Sequence, residues 1–134
     1  MRVYPYRSKF EGHVANWLHC AGIEFEYETY KYDYDFPIPH ALCTECFSGA
    51  VVHPRTYLCD FTFPRRSWVL EAKGRLDADQ RAKFLALRDA GVEVRFVFQR
   101  NNWLYRGAKS RYSDWCDQHG FKYSIGKPDE RWFQ

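Results

Sequence analysis

Residues 68–98 read WVLEAKGRLDADQRAKFLALRDAGVEVRFVF, and this stretch decides the fold. Its first residues, 68–72, are apolar apart from one glutamate, which predicts a strand. Asp77 with a glutamine three residues later is a helix-start pattern, so we predict a helix over 78–90 that the following glycine ends. Residues 92–98 alternate in polarity, which indicates a second strand. Two strands joined through a helix predict a right-handed parallel crossover.

The rest of the chain predicts further elements on both sides of this unit. Apolar residues at helical spacing predict a helix over 9–20, with Ser8 as its N-cap, and a shorter helix over 111–119. A period of two predicts a long strand over 24–34 and another over 57–63. The order α-β-β-β-α-β-α predicts an α/β fold with a mixed central β-sheet flanked by helices.

Length and composition indicate one globular domain over residues 1–134. The chain is 46% hydrophobic and 19% aromatic, which excludes a disordered protein. No apolar run approaches the roughly 18 residues of a membrane helix, and no signal peptide opens the chain, so we expect no membrane partner. Five cysteines, an odd number, favour a reducing cytosol and a cytoplasmic protein over a secreted disulfide framework.

A small polar group stands out around the strand over 68–72. Glu71 and Lys73 are two residues apart, so their side chains leave the same face, and Asp60 on the preceding strand can reach that face. Carboxylate oxygens hold Mg²⁺ or Mn²⁺, while a lysine can orient an attacking water or offset negative charge at phosphorus. The spacing alone is a weak signal, because a solvated strand face with a cross-strand ion pair produces the same pattern.

The distribution of charge favours a phosphodiester substrate, although the net charge is only +3. Residues 95–111 hold five basic residues and no acidic one, whereas acids gather in 24–35, away from the polar group in sequence. Basic clusters around an acidic pocket suit a nucleic acid backbone. The basic residues that flank the polar group are Arg65, Arg66, Arg75, Arg81 and Lys83.

Five segments, in order along the chain, resemble the phage endonuclease I family, the Holliday-junction-resolving nucleases with a Pro-Asp … Asp/Glu-x-Lys core. The segments are residues 6–11 (YRSKFE), 22–28 (GIEFEYE), 71–74 (EAKG), 104–107 (LYRG) and 115–122 (WCDQHGFK). Several ordered segments are far more specific than one motif. The resemblance implies a restriction-endonuclease-like nuclease core.

The resemblance also implies a role for each member of the polar group. Asp60 and Glu71 would be ligands of a catalytic Mg²⁺ or Mn²⁺, with the Ala72 carbonyl as a further oxygen. Lys73 would be the catalytic lysine, and Glu11 a further acid that completes the site and the metal ligands. No nucleotide cofactor is expected.

Glu11 has a second interpretation, and Cys59 departs from the pattern of the family. Ser8 followed three residues later by Glu11 is a capping box, which would use the Glu11 carboxylate at the helix terminus. Cys59 stands where the family usually has a proline before the aspartate. This change should be tolerable, because the residue at this position is not a ligand of the catalytic metal.

The implied function is resolution of four-way junctions and other branched DNA in the cytoplasm of the host cell. The implied dimer is intertwined by exchanged strands, so Glu11 would come from the other subunit, and paired sites would allow paired cuts. Candidates for phosphate contact are Arg75, Arg81, Lys83, Arg106, Lys109 and Arg111.

Residues 40–55 are predicted to be a less regular insertion that contains cysteines. Cys43 and Cys46 have the spacing of a zinc knuckle, but a single CxxC is equally compatible with a redox pair or two buried thiols. The missing zinc ligands would be His40, His53 or Cys59, or the same pair from the partner subunit. Cys20 and Cys116 fall at apolar helix positions and are predicted to be core thiols.

Two other functions are compatible with the same residues. One is a sequence-directed nicking or homing endonuclease on the same core, which a preference for one duplex sequence would select. The other is a non-catalytic zinc-containing DNA-binding protein. Cleavage that survives cysteine substitution but is lost on Asp60→Ala would exclude the second.

Overall fold

The computed structural model describes residues 6–38 and 51–134. Within these ranges the chain forms a five-stranded sheet, a two-stranded ribbon and three α-helices. The helices are α1 (Lys9–Cys20), α2 (Ala78–Asp89) and α3 (Tyr112–His119). The strands are β1 (Glu26–Tyr27), β2 (Lys31–Ile38), β3 (Val51–Leu58), β4 (Phe61–Thr62), β5 (Val69–Lys73), β6 (Val94–Phe98) and β7 (Lys122–Ile125). A 3₁₀ turn, Glu130–Phe133, lies near the chain end.

The main sheet has the order β1-β4-β5-β6-β7 and is mixed, as predicted. β1, β4 and β5 are antiparallel, while β5, β6 and β7 are parallel. The predicted strand–helix–strand unit is confirmed as a parallel pair, with Val69 beside Val94 and Lys73 beside Phe98. The carboxyl ends of β5 and β6 therefore meet at one edge of the sheet.

Helices cover both faces of this sheet, because successive residues of its central strands point to opposite sides. Leu70 and Ala72 of β5 pack in a cluster with α1. Val69 of β5, with Phe96 and Phe98 of β6, packs in a second cluster that contains residues of α2 and α3. The fold is thus an α/β arrangement with a buried central sheet.

The predicted helix starts are confirmed. Ser8 Oγ accepts a hydrogen bond from the Glu11 N–H at 3.1 Å, and an Asp77 carboxylate oxygen accepts one from the Gln80 N–H at 2.9 Å. Gly120, with φ +80°, ends α3 in the left-handed conformation that glycine adopts without strain. No helix in the described ranges is long and apolar enough to cross a membrane.

The predicted long strand over 24–34 is wrong, because the chain turns inside it. Glu28 has φ +50°, so β1 ends before it and β2 starts afresh at Lys31. The predicted strand over 57–63 also breaks, at Cys59 and Asp60. The two breaks are joined by a hydrogen bond from the Glu28 N–H to the Asp60 carbonyl at 3.0 Å. Together they direct β2 and β3 away from the main sheet.

β2 and β3 instead form the antiparallel ribbon, in register from Lys31 opposite Leu58 to Ile38 opposite Val51. Residues 51–55, predicted to be irregular, belong to β3, and β2 continues through Pro37. A two-stranded ribbon leaves outer edges unpaired, which makes proline tolerable there. The ribbon packs on α2, with its Tyr34 and Tyr57 buried in the same cluster as Phe84.

Candidate active site

A polar cleft opens where β5, α1 and α2 meet the two strand interruptions, at Glu28 and at Cys59–Asp60. All four residues predicted to be catalytic line the cleft, together with residues from the strand interruptions and from α2. The side chains discussed below are Arg7, Glu11, Glu28, Tyr57, Asp60, Glu71, Lys73 and Lys83, all of which line this cleft.

Asp60 is fixed against β5 by two hydrogen bonds. The Ala72 N–H donates to Asp60 Oδ2 at 3.1 Å, and the Asp60 N–H donates to Glu71 Oε1 at 3.3 Å. Asp60 thus reaches the predicted face of β5, although it lies in a break between strands and not in one. Its position depends on the backbone of Ala72, the residue whose carbonyl was predicted to be a metal ligand.

Glu71 is 2% exposed, and the protein contacts both of its oxygens. The Tyr57 hydroxyl donates to Oε1, and the Lys73 ammonium lies 3.5 Å from Oε2. Burial raises the pKa of Tyr57 well above its usual range, with the Glu71 charge as the next cause, so the phenol remains a donor. Glu71 therefore holds Lys73 in the cleft.

The acids of the cleft are crowded. Burial, followed by the charges of Glu71 and Glu11, raises the pKa of Asp60 to about 9, against the opposing effects of the Lys73 charge and the Ala72 N–H. A buried carboxyl group beside other carboxylates favours a proton or a cation. Such crowding is typical of functional sites, where perturbed pKa values concentrate.

Glu11 takes part in the helix cap and in the cleft at once. Ser8 Oγ accepts from the Glu11 N–H and donates its own proton to Glu11 Oε2 at 3.0 Å. The Tyr27 hydroxyl donates to the other carboxylate oxygen, Oε1, at 2.8 Å. Glu11 thus contacts the cap residue and also lines the cleft, so neither interpretation excludes the other.

Glu28 is a site residue that the sequence did not reveal. Glu11, Glu28 and Asp60 each offer a carboxylate oxygen, and these oxygens lie within 4.8 Å of one another. Glu28 also forms an ion pair with Arg7, whose Nε lies 2.7 Å from Glu28 Oε1. Glu28 thus reaches the polar group in the fold, although it lies away from Asp60 and Glu71 in sequence.

These acids fit a divalent cation. Carboxylate oxygens are the hard donors that Mg²⁺ and Mn²⁺ prefer, and three of them converge here. Glu71, a predicted ligand, lies beside Asp60 but directs its oxygens toward Tyr57, Lys73 and the Asp60 N–H.

Lys83 lies in the cleft, not on the outer surface of α2. Its ammonium is 5.0 Å from the centroid of the Tyr57 ring and 4.9 Å from that of Phe84. Burial lowers its pKa, with the Glu71 charge opposing this shift. Cation–π contacts hold the ammonium over aromatic faces. Lys83 is thus a second cation beside Lys73.

The other residues predicted to contact phosphate have different surroundings. The exposed ones are Arg75, Arg106, Lys109 and Arg111. Arg81 is half-buried, and its Nη1 donates to the carbonyl oxygens of Leu76 at 2.8 Å and Leu104 at 3.3 Å. Arg81 therefore ties the segment after β6 to the segment after β5.

The cysteine predictions have mixed outcomes. Cys43, Cys46 and His40 lie outside the described residues, and His53 is exposed on β3. Cys59 is wholly buried, and burial raises its pKa to about 12, so its thiol is neutral in the described structure. Cys116 is buried as predicted, but the prediction for Cys20 is wrong, because α1 exposes its last residues.

Comparison with known proteins relates this chain to phage nucleases. The family described as "Phage endonuclease I" matches residues 1–130. The chain is 32% identical over 126 residues to "Endonuclease I" of Escherichia phage T7, covering 92% of this chain and 74% of that protein. It is 31% identical over 122 residues to "Endodeoxyribonuclease 1" of Enterobacteria phage T3, covering 89% and 70% of the two chains.

Proposed function

Because the chain belongs to the phage endonuclease I family, we propose that it is a metal-dependent DNA endonuclease that hydrolyses phosphodiester bonds in four-way (Holliday) junctions and other branched DNA. Its place of action would be the cytoplasm of the host cell, since both relatives are phage proteins.

The observation that carries this proposal is the convergence of Asp60, Glu71, Lys73 and Glu11 in one cleft. These residues come from α1, from the residues between β3 and β4, and from β5. Asp60 and Lys73 contact Glu71 through a hydrogen bond and an ion pair, while the Glu11 carboxylate accepts hydrogen bonds from Ser8 and Tyr27. A solvated strand face with an incidental ion pair would not bury Glu71 or place Asp60 between the charges of Glu71 and Glu11.

The acids would hold Mg²⁺ or Mn²⁺, with Asp60 central and Glu11 and Glu28 as neighbouring donors. Glu71 and the Ala72 carbonyl are further ligands by resemblance to the family. A divalent cation, when bound, supplies Lewis-acid stabilisation of negative charge on phosphate oxygens. Lys73, held by Glu71, places an ammonium at the same cleft, where it can orient the attacking water or stabilise the charge that develops at phosphorus.

The active form would be a homodimer with exchanged strands. Residues 39–50 connect β2 to β3, so α1 and β1 precede this connection while Asp60 and β5 follow it. In the single chain Glu11 lines its own cleft, and in a strand-exchanged dimer Glu11 of each subunit would complete the cleft of the other. A two-fold dimer presents two sites and allows paired cuts on opposing strands.

The exposed basic residues would supply most of the DNA affinity. Arg75, Arg106, Lys109 and Arg111 can each neutralise a phosphate, and binding would then weaken as salt rises. Lys83, inside the cleft, is better placed for the phosphate that is cut.

The experiment that tests this proposal compares a synthetic four-way junction with a linear duplex of the same sequence, in Mg²⁺ and in EDTA. We expect cleavage of the junction in Mg²⁺, little cleavage of the duplex, and none of either in EDTA. Cutting of the duplex at one preferred sequence would select a sequence-directed nuclease instead. Absence of cutting in Mg²⁺ and in Mn²⁺ would contradict the proposal.

A further inference from the structure

Residues 99–111, here called the basic–aromatic loop, follow β6 and precede α3. The loop holds four basic residues and no acidic one. It also exposes two large aromatic side chains, Trp103 at 50% and Tyr105 at 63%, which burial in the core would normally cover. The phosphate contacts described above leave these aromatic faces unexplained.

The loop is ordered by its own hydrogen bonds. The Leu104 N–H donates to the Ser110 carbonyl at 3.0 Å, and the Tyr112 N–H donates to the Asn102 carbonyl at 2.9 Å. Asn101 exchanges two hydrogen bonds with Ser113 on α3, at 2.8 and 3.0 Å. The aromatic side chains therefore stand on a fixed support, which lowers the entropy lost when they bind a ligand.

Leu104 anchors the loop between the two exposed rings. Its side chain packs against the core cluster, and its carbonyl accepts from Arg81. Trp103 and Tyr105, its neighbours on either side, face solvent. The Arg111 guanidinium lies 4.0 Å from the centroid of the Trp103 ring, so one face of the indole is already covered by a cation.

The loop begins beside the catalytic lysine. The Gln99 N–H donates to the Lys73 carbonyl at 3.0 Å, because β5 and β6 end at the same edge of the sheet. A DNA strand whose phosphate lies at Lys73 would therefore lie beside the first residue of the loop. Positive charge with exposed aromatic rings is the combination that binds unpaired nucleotides, through phosphate contacts and base stacking.

We propose that Trp103 and Tyr105 form a base-stacking site for an unstacked nucleotide at the branch point of the DNA, with Arg111 supporting the indole from behind. The inference rests on the proposed function, since it assumes that branched DNA occupies the neighbouring cleft. Stacking is tolerant of sequence because every base has a π face, which suits a nuclease that selects structure.

The test is a binding titration in EDTA with two labelled DNAs, a four-way junction and a linear duplex of the same sequence. The junction carries 2-aminopurine at the branch point or within one arm. Wild type should change the fluorescence of the branch-point probe and leave that of the arm probe unchanged. Trp103→Ala should abolish this change and weaken junction binding by about tenfold, as expected for one lost stack, with little effect on the duplex. Trp103→Phe should restore most of both.

Tyr30→Ala is the matched control, because Tyr30 is a 55% exposed aromatic outside the loop, and it should bind as wild type does. Junction binding and a probe signal unchanged in Trp103→Ala would overturn the inference, while wild-type junction cleavage in Mg²⁺ would leave the proposed function standing. Equal weakening on junction and duplex, or loss of a dimer by sedimentation, would also overturn it. Failure of the wild type to bind the junction would count against both.

Discussion

The backbone N–H of Ala72 donates to the Asp60 carboxylate at 3.1 Å, so one strand holds the central acid of the cleft in place. Asp60 lies between β3 and β4 and belongs to neither strand. This hydrogen bond and the one from its N–H to Glu71 therefore hold it in place of strand pairing. In this position the Asp60 carboxyl group lies close to the carboxylates of Glu71 and Glu11, and a bound cation would offset their negative charge.

The first prediction concerns pH and stability in the absence of metal. The pKa of Asp60 is raised to about 9 in the folded protein, against 3.8 for an ordinary aspartate, so folding favours its protonated form. The stabilisation from this group is complete below its unfolded pKa and is lost as pH rises toward 9. We expect Asp60→Asn to flatten the decline of Tm between about pH 5 and 9, as measured by thermal unfolding in EDTA.

Asp79→Asn serves as the control, because Asp79 is exposed on α2 and does not line the cleft, and it should leave the pH profile unchanged. Mg²⁺ or Mn²⁺ should raise the Tm of the wild type more at high pH than at low pH, since binding displaces a proton. An Asp60→Asn profile parallel to that of the wild type would show that Asp60 is not the crowded group.

The second prediction separates the two roles of Glu11. In Glu11→Gln the amide oxygen can accept from one of the two hydroxyls and the amide NH2 can donate to the other, so the contacts with Ser8 and Tyr27 remain possible while the charge is lost. We expect most junction cleavage to disappear with little change in Tm. Ser8→Ala should do the opposite and cost about 1 kcal/mol of stability, with cleavage largely kept.

Mixing Glu11→Gln subunits with Lys73→Ala subunits then tests strand exchange. If each cleft takes Glu11 and Lys73 from different chains, a mixed dimer collects both lesions in one cleft and leaves the other intact, and refolded mixtures should nick DNA. Mixtures that form heterodimers yet stay inactive would rule out the exchanged arrangement.

The third prediction concerns the chemistry of Lys73. Its ammonium, 3.5 Å from Glu71, is a compact charge, whereas a guanidinium is planar and distributes its charge over a fork. Lys73→Arg should therefore cleave about as poorly as Lys73→Ala, with losses of about a hundredfold or more in single-turnover rate. Lys122→Arg, on exposed β7, should cleave normally. Strong activity in Lys73→Arg would mean that the residue serves only as a counter-charge for phosphate.

The fourth prediction concerns Glu28, which the structure places with Glu11 and Asp60. Removing its charge in Glu28→Gln should raise the Mg²⁺ concentration needed for half-maximal cleavage, with the rate at saturating Mg²⁺ less affected. Glu24→Gln, an exposed acid on the same segment, is the control. A Mg²⁺ dependence identical to that of the wild type would remove Glu28 from the cation site.

Much of the fold follows from local sequence. The caps at Ser8 and Asp77, the helical spacing of α1 and α2, and the apolar run of β5 all act over a few residues, and these predictions are confirmed. β7 was not predicted, because Lys122–Ile125 is short and only partly buried and depends on pairing with β6.

The two strand errors at Glu28 and Cys59 share one physical cause. Period two continues through Glu28 and through Cys59, but the chain turns at both, and the hydrogen bond from the Glu28 N–H to the Asp60 carbonyl links segments 32 residues apart in sequence. Such a long-range contact leaves no local pattern. Asp60, Glu71 and Lys73 could be proposed from the sequence, because they lie on or next to one predicted strand. Glu28 could not, because only the long-range contact brings it to the cleft.

The most direct test of the central claim measures cleavage and binding of the same four-way junction by the wild type, Asp60→Asn and Glu71→Gln. Each acid is proposed to serve the metal site, whereas affinity comes mainly from basic residues, so binding in EDTA should persist or tighten slightly. Single-turnover cleavage in Mg²⁺ should fall below detection for both variants. A variant that binds the junction and still cuts it at near the wild-type rate would contradict the placement of that acid in the active site.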